Sequence, residues 1–467
     1  MDFPKHFIFG AATAAYQCEG ATKEGNKGRV IWDSYLEKEK HYTADPACDF
    51  YHQYGQDIEN CRDFGLNGLR VSIAWSRIFP EGYGKVEPTG VAFYHRLFKK
   101  MIDNGIEPFV TLHHFDSPET LFKQGDWLNK DMIQHFVEYA RFCFTEFTEI
   151  TKWITINEPS TLAKQQNITG TFPPNTKYNF TACFQQQHNM NVAHAKVVKL
   201  FHDLKISGEI GIVHAIQTVY PYSENPSDKI AAKKQDVLEN AFLLEGTLAG
   251  EYSEKTLSII NEILSANGQQ KIEILDSELS MLEEAIQTVD FVGVNYYYSK
   301  FVANYDGKSQ FIHNGTGDKG TSLRQLQGVG QELLPSGIPT TEWDWPIYPK
   351  GLADTLRRIN HEFPNVKKIY ITENGLGRKE RPDENNEIVD DERIEYLSAH
   401  LQEVERVVNE GVNVQGYFVW SLQDLFSWTN GYNKRYGLFY VNFETQQRIP
   451  KKSAYWYKEV IEKNKQA

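Results

Sequence analysis

Eight short apolar segments, alternating with helical or turn-rich stretches, restrict the folds open to these 467 residues. They are Phe7–Ala12, Leu69–Ile73, Pro108–Leu112, Trp153–Ile156, Ile210–His214, Phe291–Asn295, Lys368–Thr372 and Gln415–Trp420. Each has the length and composition of a buried strand. Helix-period patterns run between them. In Asp49–Phe64, residues Tyr51, Tyr54, Ile58 and Cys61 share one face, and Gly65 stops the run. A helix from about Lys130, with Asn129 as cap, places Ile133, Phe136, Val137, Ala140, Phe144 and Phe147 at helical spacing. Further helices are expected over Phe93–Asn104, Gln185–Leu204, parts of Ser227–Ile286, Gly351–Glu362 and Asp391–Asn409. Eight strands alternating with helices predict an α/β chain closed into a (β/α)8 TIM barrel, one domain over residues 1–467 with extended βα loops. The polar stretch Tyr305–Glu342 lacks periodicity and reads as a loop insertion.

In such a barrel the chemistry sits where the strands end. Two of the eight run into a carboxylate. Trp153-Ile154-Thr155-Ile156-Asn157 leads to Glu158, and Pro159 breaks the strand. Ile369-Tyr370-Ile371-Thr372 leads to Glu373, and Asn374-Gly375 turns the chain. A pair of carboxyls, one donating a proton to the departing oxygen and one attacking or activating water, is what glycoside hydrolysis requires. By spacing alone, each glutamate could equally be an ion-pair partner or a solvated loop residue.

Composition removes several other classes. A net charge of −13 disfavours nucleic acid as a partner. It also means that any anionic substrate needs a local cationic pocket. No run of about 18 apolar residues is present to span a membrane. Met1-Asp2-Phe3-Pro4-Lys5-His6 has no apolar core of a secretory signal. The five cysteines are scattered, with no C-x-x-C pair, which argues for reduced thiols in a cytoplasmic protein and against a zinc site. The 13% aromatic content can serve a core or sugar-stacking surfaces.

Longer motifs go further. Thr155-Ile156-Asn157-Glu158-Pro159 and Ile371-Thr372-Glu373-Asn374-Gly375 resemble the two signatures of glycoside hydrolase family 1. The resemblance spans the chain. It includes Phe7–Gly20, Arg70–Ile78, Thr111–Asp116 and Asn295-Tyr296-Tyr297. It implies a retaining glycosidase with Glu158 as general acid/base and Glu373 as nucleophile. Arg70 and Tyr297 would contact Glu373 and keep it ionised, and Glu158 would need a raised pKa to hold its proton. Asn157 would bind the sugar 2-hydroxyl. Gln17, His114 and Trp420 would bind the remaining glycone hydroxyls, and Trp345 would be a platform for the leaving group. No metal or organic cofactor is implied.

Two departures from the family pattern matter: the usual H-W-D-L-P reads His114-Phe115-Asp116-Ser117-Pro118, which keeps the histidine, and the second is larger. Members acting on unmodified glucosides carry W-S-L-x-D-N-F-E-W, whose glutamate binds the 4- and 6-hydroxyls. This chain reads Trp420-Ser421-Leu422-Gln423-Asp424-Leu425-Phe426-Ser427-Trp428. Serine at 427 removes a carboxylate that would repel a phosphate on O6. Asn433-Lys434-Arg435-Tyr436 follows, and Ser427, Lys434 and Tyr436 together could hold a phosphate by charge-assisted hydrogen bonds. The loop from Ser427 to Leu438 resembles that of family members acting on 6-phospho-β-galactosides. The indole N–H of Trp428 could reach an axial 4-hydroxyl, which galactose has and glucose lacks. The expected substrate is therefore a phosphorylated disaccharide such as lactose 6-phosphate, cleaved to galactose 6-phosphate and glucose. The rival readings are a 6-phospho-β-glucosidase or dual-specificity enzyme, an ordinary β-glycosidase, and a non-catalytic phosphosugar-binding protein.

Overall fold

The computed structural model describes residues 1–39 and 41–466. Its centre is a closed barrel of eight strands: β1 (Ile8–Ala12), β2 (Gly68–Ser72), β3 (Glu107–His113), β4 (Lys152–Asn157), β5 (Glu209–Ala215), β6 (Phe291–Asn295), β7 (Ile369–Asn374) and β8 (Val414–Trp420). Every neighbouring pair is parallel, and β1 pairing with β8 closes the ring. The expected (β/α)8 barrel is the observed fold. Its strands are almost wholly buried, which is why they read as continuous apolar runs rather than alternating ones.

Most boundaries moved by a residue or two, and the larger shifts have local causes. The helix expected from Phe93 begins at Pro88, which needs no N–H partner, while the Glu87 side chain accepts from the Thr89 N–H at 3.1 Å. The helix expected from Gln185 begins at Phe180, capped by Asn179, which accepts from the Ala182 N–H at 2.9 Å. Asn129 does accept from the Asp131 N–H at 3.0 Å, at the start of helix Asp131–Glu146. The stretch around Ser227–Ile286 resolves into helices Pro226–Asp236, Glu254–Ala266 and Asp276–Ile286, with π-helical turns at Val237–Ala241 and Glu245–Ala249.

One expectation is corrected. Tyr305–Glu342 is not simply a loop. It contributes strands Gln310–Ile312, Leu323–Leu326 and Gly330–Glu332, which join Val219–Pro221 and Lys300–Ala303 in a five-stranded sheet beside the barrel. Strands of three or four residues are too short for a period of two to register in the sequence. The helix Lys452–Gln466 was also not foreseen. It closes against the barrel, where the Tyr457 hydroxyl donates to the carbonyls of Gly10 and Tyr417 at 3.3 and 3.2 Å.

Aromatic rings fill the barrel axis. Phe109 meets Phe418 at 4.7 Å and Tyr370 at 5.1 Å, and Tyr370 meets Phe291 at 5.3 Å. Facing positions must be small to admit them. A Cβ on Gly10 would lie 2.5 Å from the Phe418 ring and 2.8 Å from the Gly68 carbonyl oxygen. Gly10→Ala is therefore expected to destabilise the barrel by about 1–3 kcal/mol through overpacking. Thermal unfolding followed by circular dichroism should show a lower Tm, and an unchanged Tm would contradict this packing.

Candidate active site

The carboxyl ends of the strands carry a polar cluster organised by one buried guanidinium. Arg70 on β2 is fully buried. Its Nη1 donates to Glu373 Oε1 on β7 at 2.6 Å, its Nη2 to Asn157 Oδ1 on β4 at 2.6 Å, and its Nε to Thr111 Oγ1 on β3 at 3.1 Å. The planar fork thus ties four strands together. The Tyr297 hydroxyl donates to the other oxygen of Glu373 at 2.6 Å. Both oxygens of Glu373 are engaged, one by a cation and one by a phenol.

Glu158 is held differently. Its backbone is left-handed, with φ 45°, and its N–H donates to the Val213 carbonyl on β5 at 2.8 Å. Pro159 then opens the helix Pro159–Asn167. A left-handed conformation costs a non-glycine residue about 1–2 kcal/mol, so strain is concentrated at this corner. Asn295 Nδ2 donates to Glu158 Oε1 at 2.7 Å and to Asn157 Oδ1 at 3.2 Å. Thr372 in turn fixes Asn295 by donating to its amide oxygen at 2.7 Å. Glu158 therefore faces a neutral amide where Glu373 faces a cation.

The two environments shift the two carboxyls through different partners. Burial pushes the Glu373 carboxyl up to about 7, opposed by Arg70 and raised further by the charge of Glu158. Burial also raises Glu158, against hydrogen bonds from Asn295 and Thr161 and the charges of Arg70 and Lys164. Two carboxyls in one site do not both ionise freely. Once Glu158 holds the proton, its push on Glu373 vanishes, and the ion pair with Arg70 keeps Glu373 the anion.

Around the pair stands a wall of incompletely satisfied polar groups. Gln17 Nε2 donates to the Phe426 carbonyl at 2.7 Å, and its oxygen has no partner among the described residues. Asn157 Nδ2 donates to His114 Nε2 at 3.1 Å, which leaves the N–H on His114 Nδ1 unpaired. Burial first, then Arg70, pushes His114 well below its ordinary pKa, so the ring is neutral. One free acceptor and one free donor suit hydroxyl groups, each of which can donate and accept. Trp420 stacks on His114 at 6.0 Å.

The 427–436 loop forms another wall. Lys434 is 2% exposed, and its ammonium lies 3.6 Å over the Trp345 ring, 4.6 Å over Trp343 and 5.3 Å over Tyr436. No carboxylate among the described residues lies within ion-pair distance of it. Its neighbour Arg435 turns the other way and pairs with Asp424 at 2.8 Å. The dipeptide thus splits into one structural cation and one cation facing the pocket. Burial, reinforced by Arg324, pushes the Lys434 ammonium well below its ordinary 10.5. Ser427 and Tyr436 line the pocket beside it. Trp428 is clamped by Tyr16, stacked at 5.7 Å with parallel rings, and by Trp32 at 4.6 Å. Its indole N–H has no partner among the described residues. Half-buried Trp345 stacks on Tyr298 at 4.9 Å.

All the expected site residues line one pocket, except Arg70, which lies beneath it holding Glu373. Sequence reasoning gave no role to Asn295, although it ends an apolar strand as the two glutamates do. It also missed Arg324, Lys300 and Glu332, because their short strands carry no readable pattern.

Known proteins resemble this chain over nearly its whole length. Glycosyl hydrolase family 1 matches residues 1–466. The chain is 55% identical to a 6-phospho-beta-galactosidase of Staphylococcus haemolyticus, covering 98% of both chains. It is 56% identical to one from Lacticaseibacillus rhamnosus, covering 98% of this chain and 97% of the other. Among solved structures, a family 1 β-glucosidase from Thermotoga maritima superposes with a TM-score of 0.88 at 34% identity, covering 99% of this chain and 98% of the other. The β-glucosidase BglU of Micrococcus antarcticus gives 0.90 at 32%, with the same coverage. The chain belongs to glycosyl hydrolase family 1. It is a retaining glycosidase, an enzyme that works by double displacement.

The Arg70 contact yields a direct expectation. Arg70→Met removes the charge that holds Glu373 down, so its pKa rises from about 7. The acid limb of the kcat/KM profile should move to higher pH by one to three units, about the effect of one close opposite charge. At pH 7 activity should fall roughly a hundredfold. An unshifted acid limb would contradict the coupling.

Proposed function

We propose that this glycosidase hydrolyses 6-phospho-β-D-galactosides, with lactose 6-phosphate as the representative substrate. The observation that carries the reading is Lys434. A buried ammonium without a carboxylate partner is costly unless a ligand supplies the counter-charge. Here it faces the pocket, with Ser427 and Tyr436 beside it. Ser427 stands where a carboxylate would repel an anion, so the loop suits a phosphate on O6. Binding a dianion would also favour the charged form of Lys434, which burial opposes. The names of the relatives from Staphylococcus haemolyticus and Lacticaseibacillus rhamnosus support the same substrate class.

In this reading Glu373 attacks the anomeric carbon while Glu158 gives its proton to the glycosidic oxygen, so the C–O bond breaks and glucose departs. Arg70 and Tyr297 hold the Glu373 carboxylate in line. Glu158, now a base, takes a proton from water, which attacks the anomeric carbon, releases Glu373 and restores the starting configuration. Asn157 contacts the 2-hydroxyl, and Gln17, His114 and Trp420 contact the others. Trp428 offers its free N–H to the axial 4-hydroxyl of galactose, fixed in aim by Tyr16 and Trp32. Trp345 serves twice, as a seat for Lys434 and through its exposed edge as a platform for the leaving group.

A phosphorylated disaccharide forms on the inner side of a membrane, so we place the enzyme in the cytoplasm. The five buried free thiols suit a reducing compartment. No helix among the described residues is long and apolar enough to cross a membrane.

The deciding experiment measures kcat/KM for o-nitrophenyl β-D-galactoside 6-phosphate and for the same compound without phosphate, on wild type and Lys434→Ala. The wild type should strongly prefer the phosphorylated compound. The variant should lose roughly 30- to 150-fold on it, the value of a charged hydrogen bond of about 2–3 kcal/mol. Its rate on the other compound should change little. Equal wild-type rates on the two compounds, untouched by the substitution, would overturn the phosphate reading.

A further inference from the structure

The pocket extends past Glu158 to a wall that the glycone and phosphate contacts do not use. Thr161 and Lys164 follow Glu158 along the helix Pro159–Asn167, one turn apart on the pocket side. Opposite them the π-helical turn Val237–Ala241 presents Glu239. Turns of this kind widen a helix locally and recur at functional positions. Here the turn docks on the acid/base helix, where the Ser160 hydroxyl donates to the Glu239 carbonyl at 2.9 Å.

From Glu239 a ladder of charge runs along the pocket. Lys164 pairs with Glu239 Oε2. Lys300 Nζ donates to Glu239 Oε1 at 2.6 Å and to Glu332 Oε1 at 2.7 Å. Arg324 Nη1 donates to Glu332 Oε2 at 3.0 Å. Gln235 Nε2 adds a bond to Glu239 Oε1 at 2.7 Å. Every rung lines the same pocket as the two catalytic carboxyls. The buried ladder is costly to desolvate and adds little to stability compared with a well-packed apolar wall. Its donors are not exhausted either. Lys164 has one carboxylate for three N–H groups, and the buried oxygen of Gln217, on the same wall, has no partner among the described residues.

The location fixes what such a wall would meet. Glu158 protonates the glycosidic oxygen, so the leaving group begins at Glu158. The glycone occupies the side of Gln17, His114 and Trp420, and the departing group is directed to the other side, where Lys164 and Glu239 stand. A wall of alternating fixed donors and acceptors matches a neutral, polyhydroxylated group and mismatches an aryl or alkyl one.

We propose that Lys164 and Glu239, backed by Gln235 and Lys300, are the leaving-group recognition site of this enzyme and select a sugar over an apolar aglycone. This rests on the phosphogalactosidase reading and names the second half of its substrate. The wall is distinct in residues from the phosphate loop, so the two halves of specificity are separable.

The test compares three substrates on wild type, Lys164→Met and Glu239→Gln: lactose 6-phosphate, methyl β-D-galactoside 6-phosphate and o-nitrophenyl β-D-galactoside 6-phosphate. The methyl compound has a poor alkoxide leaving group, as lactose 6-phosphate has, but no sugar hydroxyls. In the variants kcat/KM for lactose 6-phosphate should fall about 10- to 100-fold, the loss expected from one or two hydrogen bonds. At each variant's own pH optimum, which absorbs any shift of Glu158 caused by losing the Lys164 charge, rates on the methyl and nitrophenyl compounds should stay within about threefold. Inhibition by free glucose should be weaker in the variants than in the wild type. An equal fall on lactose and methyl substrates, with the nitrophenyl rate kept, would overturn the proposal and make Lys164 a tuner of the Glu158 proton. Equal loss on all three, or none on any, would overturn it as well. Should Lys164→Met fail to fold, Gln235→Leu carries the same expectation at the smaller end of the range. Wild-type failure on all three phosphorylated substrates would instead refute the phosphogalactosidase reading itself.

Discussion

The bond between Arg70 and Glu373 is the constraint on which the rest of the site depends. A guanidinium buried in a barrel is tolerable only if its charge and donors are all answered. Glu373 answers the charge, and Asn157 and Thr111 answer the remaining fork. In the proposed mechanism the same contact favours Glu373 as the anion, while Glu158, facing the neutral amide of Asn295, carries the proton. Structural satisfaction and catalytic asymmetry come from one arrangement. The left-handed backbone of Glu158 shows the complementary feature, local strain accepted where a side chain must be aimed.

Charge is partitioned with similar economy at the far wall. The protein carries a net charge of −13, yet the pocket presents a cation in Lys434 because its neighbour Arg435 is consumed by Asp424. A hydrophobic seat of Trp343, Trp345 and Tyr436 holds the ammonium in place through its attraction to ring faces. Aromatic residues thus serve both uses that composition had left open. Phe109, Phe418, Tyr370 and Phe291 fill the barrel, while Trp428, Trp345 and Trp420 line the pocket.

The barrel was legible because its strands are buried on both faces and so announce themselves as apolar runs between helices. The two glutamates stood out for the same reason, each ending such a run before proline or Asn-Gly, but spacing alone left ion-pair and loop readings open, and their roles came from family resemblance. Pocket residues within long motifs, such as Gln17, His114 and Trp420, came from family resemblance rather than from spacing. What stayed hidden lies off the barrel. Lys300, Arg324 and Glu332 sit on strands of three or four residues, and Glu239 on a π-helical turn that has no sequence signature. The Lys434-Arg435 pair was readable as cationic, but only tertiary contacts reveal which of the two faces the pocket.

In the proposed mechanism Glu373 is the anion that bonds to the sugar while the phosphate loop holds O6. A 2-deoxy-2-fluoro-β-D-galactosyl fluoride 6-phosphate tests both at once, because the fluorine slows release of the glycosyl-enzyme more than its formation. After incubation, intact mass should rise by one phosphorylated fluorogalactosyl group, and peptide mapping should place it on Glu373. Lys434→Ala should label far more slowly. A label on Glu158, or steady turnover of phosphogalactoside with no labelled enzyme and no time-dependent inactivation, would contradict the account.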